Sequence, residues 1–176
     1  MSSEPRSVKR VLAIDPTSRG FGYVVLEGHN RPVDWGVRTL NTSETAGVVR
    51  QVLKIMKRNH VHTLVMEDTT AAGTRRCERI RQLLVDIQRQ ITKNGIKTRR
   101  IPMRKVKQVL FAFRAATKHQ IAQEIARQLP ELASRLPRQR KPWMVEDYWM
   151  AMFDAAAFAL AYFYLRSVKR DSKNAV

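Results

Sequence analysis

Three carboxylates set inside apolar segments constrain this chain more than any other feature. Asp15 closes the run VLAID (11–15), Glu67 follows HTLVM (62–66), and Asp154 interrupts AMFDAAAFALA (151–161). Removing an unpaired carboxylate from water costs several kcal/mol or forces it to take up a proton. Any fold that buries these runs must therefore give the acids a partner. Each acid taken singly has an ordinary structural reading. Asp15 before Pro16 fits a turn, Glu67 can pair with Arg75 or Arg76, and Asp154 can bridge to another helix. Three together point instead to a shared cation. With no Cys or His at ligand spacing, the donors are oxygens only, which selects a hard ion such as Mg²⁺ or Mn²⁺.

The runs that carry the acids also set the fold class. Val11–Asp15 is a short, branched, continuous apolar run, as expected of a buried strand, and a turn follows at Pro16–Gly20. Phe21–Leu26 and the alternating Val33–Leu40 extend it into a three-stranded meander. Thr42 or Ser43 caps a helix with Val48, Val49, Val52, Ile55 and Met56 at helical spacing, and His62–Met66 is the fourth strand. Arg75–Lys93 is an amphipathic helix with Ile80, Leu83, Leu84, Ile87 and Ile91 on one stripe. Ile96–Ile101 reads as a fifth strand, Pro102 opens a short helix through Leu110, and Lys118–Leu129 is helical again. Pro130–Pro142 reads as a loop, Glu146–Arg166 as a helix, and the remainder as a basic tail. The expectation is a single domain over 1–176 with tails at 1–9 and 168–176.

Charge narrows the partner. Against 15 Asp and Glu stand 33 Lys and Arg, a formal net charge of +18. Such a surplus, rich in arginine forks that match phosphate oxygens, favours a polyanion, with nucleic acid first. No apolar stretch is long enough to span a bilayer, and Met1–Arg10 lacks the hydrophobic centre of a secretory signal, so a cytoplasmic location without membrane contact is expected, with a nucleoid-associated or a phage-encoded protein both compatible. The lone Cys77 offers neither a disulfide nor a zinc site.

The segments VLAIDPTSRGFGYVVLEG (11–28), LVMED (64–68) and FDAAAFALA (153–161) resemble the opening strand, the glutamate-bearing strand and the last helix of the RuvC family of Holliday-junction resolvases, within the RNase H-like superfamily. The resemblance covers nearly the whole chain. It implies an α/β fold with a mixed five-stranded sheet and helices on both sides. Asp15, Glu67 and Asp154 inherit the metal-ligand role, with two Mg²⁺ ions (Mn²⁺ as substitute) and hydrolysis of paired phosphodiesters in four-way DNA junctions. VKQ (106–108) and TKHQ (117–120) look like the two lysine-bearing segments of the family, which places Lys107 and Lys118 at the scissile phosphate, where a cation would stabilise developing charge.

Two features depart from the family pattern. Its fourth acid, one turn before the last, falls at Ala151, and Asp147 is the substitute candidate although it lies about 10.5 Å along a helix axis from Asp154. FAFRAAT (111–117) stands where the family has a glycine-bearing loop, so Phe111 and Phe113 are either wedges against bases or core residues. Expected DNA contacts are Arg75, Arg76, Arg99, Arg100, Arg104, Lys105, Arg114, Arg138, Arg140 and Lys141 together with the two phenylalanines. Symmetric cuts imply a homodimer. The Arg75–Lys93 helix resembles the family's dimer element, unless the sheet consumes its stripe. A nuclease acting on RNA–DNA hybrid or another branched DNA, and a non-catalytic junction-binding protein, are the competing readings.

Overall fold

Strand alternation sorts the apolar residues into two layers on either side of one sheet. A computed structural model describes residues 9–40, 45–111 and 116–174. Its strands are β1 (Arg10–Thr17), β2 (Gly20–Glu27), β3 (Arg31–Thr39), β4 (Thr63–Glu67) and β5 (Lys97–Ile101). Their order is β3-β2-β1-β4-β5, antiparallel within the meander and parallel from β1 to β4 to β5. The helices are α1 (Thr45–Arg58), α2 (Glu78–Lys93), α3 (Met103–Phe111), α4 (Lys118–Gln128) and α5 (Met150–Asn174). The expected mixed five-stranded sheet with helices on both sides is therefore observed.

Successive strand side chains point to opposite faces. Leu12 and Ile14 of β1, with Leu64 and Met66 of β4, pack with α1 and α2. Val11 and Ala13, with Val65, pack with α4 and α5. The same parity sends Asp15 and Glu67 to the α5 face. β1 and β4 pair in parallel at Ala13–Val65, and two residues further on each strand reaches its acid.

The helix α5 is buried all round from Ala151 to Ala161, which explains its run of small residues. At Gly22 a Cβ would lie 2.1 Å from the Ala151 carbonyl carbon, so only glycine lets β2 approach the start of α5 this closely. Ala151, the position of the missing fourth acid, is thus wedged against the sheet.

Several boundaries differ from expectation. Asp15 lies within β1, which continues through Pro16 to Thr17 because β2 pairs along its whole length. Pro130–Arg135 is a 3-10 helix whose Leu132 is fully buried, where a loop was expected. α5 starts at Met150, not Glu146, and continues to Asn174, so the segment expected as a tail is helical from 168 to 174. The stripe Ile80, Leu84, Ile87 and Ile91 of α2 is buried against α1 and the sheet, so that apolar face is not available to a second subunit. Thr42 and Ser43 lie outside the described residues, as do Phe113 and Arg114.

Candidate active site

Asp15, Glu67 and Asp154 are the buried acids among the described residues, 2%, 5% and 2% exposed. They come from β1, the end of β4 and the fully buried part of α5. Each faces a cation. Arg76, on the segment before α2, donates from Nη2 to Asp15 Oδ1 and from Nε to Glu67 Oε2 at 2.5 Å. Lys118 Nζ donates to Asp154 Oδ2 at 2.9 Å and to Glu146 Oε1 at 2.8 Å. Of the single readings for the three acids, two hold: Glu67 pairs with Arg76, and Asp154 bridges to α4.

The placement of Lys118 has a local cause. Thr117 and Gln120 form a capping box, Gln120 N–H to Thr117 Oγ1 at 3.2 Å and Thr117 N–H to Gln120 Oε1 at 2.8 Å, which fixes the first turn of α4. A cation at a helix N-terminus opposes the macrodipole. Asp154 and Glu146 offset that.

The site's electrostatics follow from burial. Burial, and after it the nearby Asp154 carboxylate, push Asp15 up to about 8, with Arg76 and Lys118 opposing. Burial likewise raises Asp154 against the pull of Lys118 and Arg76. Burial works against the charge on Arg76 and Lys118, but the carboxylates win and hold both above their ordinary values. An acid with a raised native pKa keeps its proton in the fold after the unfolded chain, near 3.9 for Asp, has lost it. Between about pH 4 and pH 8 the folded chain thus binds more protons, and stability falls as pH rises. The metal-free protein is expected to melt lower at pH 8 than at pH 5, with a smaller difference for Asp15→Asn. Equal pH slopes for the two in calorimetry would rule out Asp15 as the source.

Glu67, Asp154 and Lys118 line a cavity of about 500 Å³, together with Lys107 and with Arg75, Arg76 and Arg104. The two lysines and three of the expected arginines are therefore gathered beside the acids. Other candidates are not. Arg99 and Arg100 are exposed on the edge strand β5, Lys105 lies half-buried on α3, and Arg138, Arg140 and Lys141 are exposed between the 3-10 helix and α5. Phe111 packs against the α5 core cluster. Asp147 precedes α5 instead of lying within it. Its exposed carboxylate accepts from Trp149 N–H at 2.8 Å, so the two-turn helical relation to Asp154 does not exist. Asp68, next to Glu67, turns to Thr70, accepting from its N–H at 3.1 Å and its hydroxyl at 2.7 Å. Sequence reading missed Glu146, whose tie to Lys118 spans 28 residues.

The donor chemistry fits a hard divalent ion: three carboxylates, poorly solvated and mutually repelling, with no softer ligand beside them. As placed, no three acidic, His or Cys side chains among the described residues converge closely enough to hold one. Arg76 stands between Asp15 and Glu67 where such a charge would lie.

Comparison with solved structures decides the fold family. Thermus thermophilus RuvC superposes with a TM-score of 0.65 at 19% identity, over 90% of this chain and 96% of that one. The chain has a RuvC-like fold. Thermus thermophilus RuvC in complex with a Holliday-junction substrate gives 0.64 at 20% identity with the same coverage. The yeast mitochondrial Holliday-junction resolvase Ydc2 gives 0.65 at 14% identity, over 98% of this chain and 85% of that one. No family model and no curated protein matches the sequence. In this RuvC-like fold, no helix among the described residues is long and apolar enough to cross a membrane.

Proposed function

We propose that the protein is a divalent-metal-dependent endonuclease that resolves four-way DNA junctions by paired phosphodiester hydrolysis, leaving 5′-phosphate and 3′-hydroxyl ends. The carrying observation is that the buried acids among the described residues are Asp15, Glu67 and Asp154, and that Glu67 and Asp154 line one cavity with Arg104, Lys107 and Lys118. The likeness to solved Holliday-junction resolvases supports the substrate class.

Asp15, Glu67 and Asp154 would hold Mg²⁺, or Mn²⁺ in its place, once Arg76 withdraws from the first two. The bound ion supplies Lewis acidity toward the phosphodiester and toward the attacking water. The chain's own groups do the rest. Lys118 is held beside Asp154 by Glu146, and there it neutralises charge on the scissile phosphate. Lys107, exposed on the cavity wall, meets the same strand. Arg75 and Arg104 bind flanking phosphates and position the backbone without reading sequence.

Two symmetric cuts call for a homodimer, for which a face other than the buried stripe of α2 must serve. A second reading, non-catalytic junction binding, is favoured by Ala151 in place of the fourth acid. A panel of four-way, three-way, flap and RNA–DNA hybrid substrates with Mg²⁺ or Mn²⁺ separates these readings. Selective cutting of the four-way junction is expected. Indiscriminate cutting would defeat the resolvase reading, and tight junction binding without cutting would establish the binding module.

A further inference from the structure

The segment between the 3-10 helix and α5 carries apolar surface that the fold leaves uncovered. Trp143 is 77% exposed, Val145 91%, Met144 47% and Tyr148 54%. Such a concentration on one short stretch is uncommon unless a partner covers it. Both ends of the stretch are anchored. Leu136 and Trp149 pack against the α5 core cluster, and Arg135 stacks over Trp149 at 4.6 Å. In the middle, Glu146 bonds Lys118, which bonds Asp154. The exposed residues are therefore held one ion-pair relay from the candidate catalytic acid.

The charge of the segment selects the kind of partner. Arg135, Arg138, Arg140 and Lys141 form no ion pair among the described residues, while Glu146 is used by Lys118 and Asp147 by the start of α5. Lys141 Nζ sits 5.4 Å from the centre of the Trp143 ring. Cations interleaved with an exposed indole match a strand whose phosphates meet the cations while a base stacks on the ring. Stacking needs a base freed from its neighbours, which an intact duplex does not offer.

We propose that Trp143, flanked by Arg140 and Lys141, is a stacking platform for an unstacked base of the DNA strand beside the cut phosphate, and so selects opened over continuous duplex DNA. The proposal rests on the junction-cleavage reading for its substrate.

The test compares Trp143→Ala and the double variant Arg140→Ala/Lys141→Ala with wild type. The probes are a fluorescent four-way junction, a matched linear duplex and a single-stranded oligonucleotide, all in EDTA. Trp143 is a surface residue, so an unchanged melting curve is the control for folding. Trp143→Ala is expected to lose about tenfold in affinity for the junction and the single strand, with duplex affinity unchanged. The double variant should lower the salt slope on duplex arms by about 0.9 per lost phosphate contact, for all sequences alike. Equal affinity of wild type and Trp143→Ala for junction and single strand would overturn the platform. So would a change in sedimentation from dimer to monomer without a change in DNA affinity, which would make the patch a self-association face. If wild type binds junction no better than duplex, the junction reading fails by itself. The single strand then decides the platform: a selective loss in Trp143→Ala keeps it, and equal binding removes it.

Discussion

Asp154→Asn is expected to lower the rate of junction cleavage by on the order of 10³-fold while leaving junction affinity within about twofold of wild type. The rate estimate follows from losing about 4 kcal/mol of charge stabilisation at the phosphate, with each 1.36 kcal/mol worth a factor of ten. Affinity is spared because phosphate contacts by the surrounding arginines and lysines, not the buried acid, carry binding. Asn matches Asp in shape, and Lys118 retains Glu146 as a partner. Burial raises the Asp154 pKa, so a neutral side chain in its place removes a desolvation cost. The variant should accordingly melt no lower than wild type in the absence of metal. Single-turnover cleavage on a labelled junction, run beside calorimetry, checks both halves. Cleavage within tenfold of wild type would remove Asp154 from the site.

Arg76→Ala should have the opposite signature on stability. Arg76 is the common partner of Asp15 and Glu67, and its side chain is only 21% exposed. Removing one member of a buried charge cluster leaves the others uncompensated, a loss of about 3 kcal/mol. The metal-free variant should therefore melt well below wild type. Mg²⁺ should restore much of that loss, because the ion takes over the charge that the guanidinium supplied, and ligand binding stabilises by mass action. Wild type should gain less from the same Mg²⁺, since its ion must first displace Arg76, and a displaced competitor lowers apparent affinity. Titration calorimetry with Mg²⁺ and melting curves over a range of Mg²⁺ concentrations read this directly. Equal metal affinity and equal metal-induced stabilisation in the two proteins would show that Arg76 does not stand in for the ion.

The contrast between these variants mirrors what was legible in the sequence. Asp15 and Glu67 were readable as a pair because each ends or follows a branched apolar run, and strand parity puts them on the face of Val11, Ala13 and Val65. Asp154 was readable because an acid among alanines and phenylalanines has no surface to reach. Asp147 misled, since the counting that set it two turns from Asp154 assumed a helix from residue 146. In the structure Asp147 stops the chain short of helix by binding Trp149 N–H. The stripe on α2 left two uses open, a second subunit or the sheet, and α1 with the sheet consumed it.

What the sequence determined by itself was periodic or compositional: the five strands, the amphipathic helices, the basic surface and the three acids that burial would penalise. These depend on neighbours within a few residues and on transfer from water, which local pattern encodes. Only the tertiary structure decided which cation answers which acid. Arg76 reaches Asp15 across 61 residues and Lys118 reaches Asp154 across 36. With 33 basic side chains to choose from, charge complementarity selects no one of them. The choice falls to the packing of α5 against the sheet and of α4 against α5, and to the segment between β4 and α2, which bring these two within hydrogen-bonding reach and leave Trp143 in water.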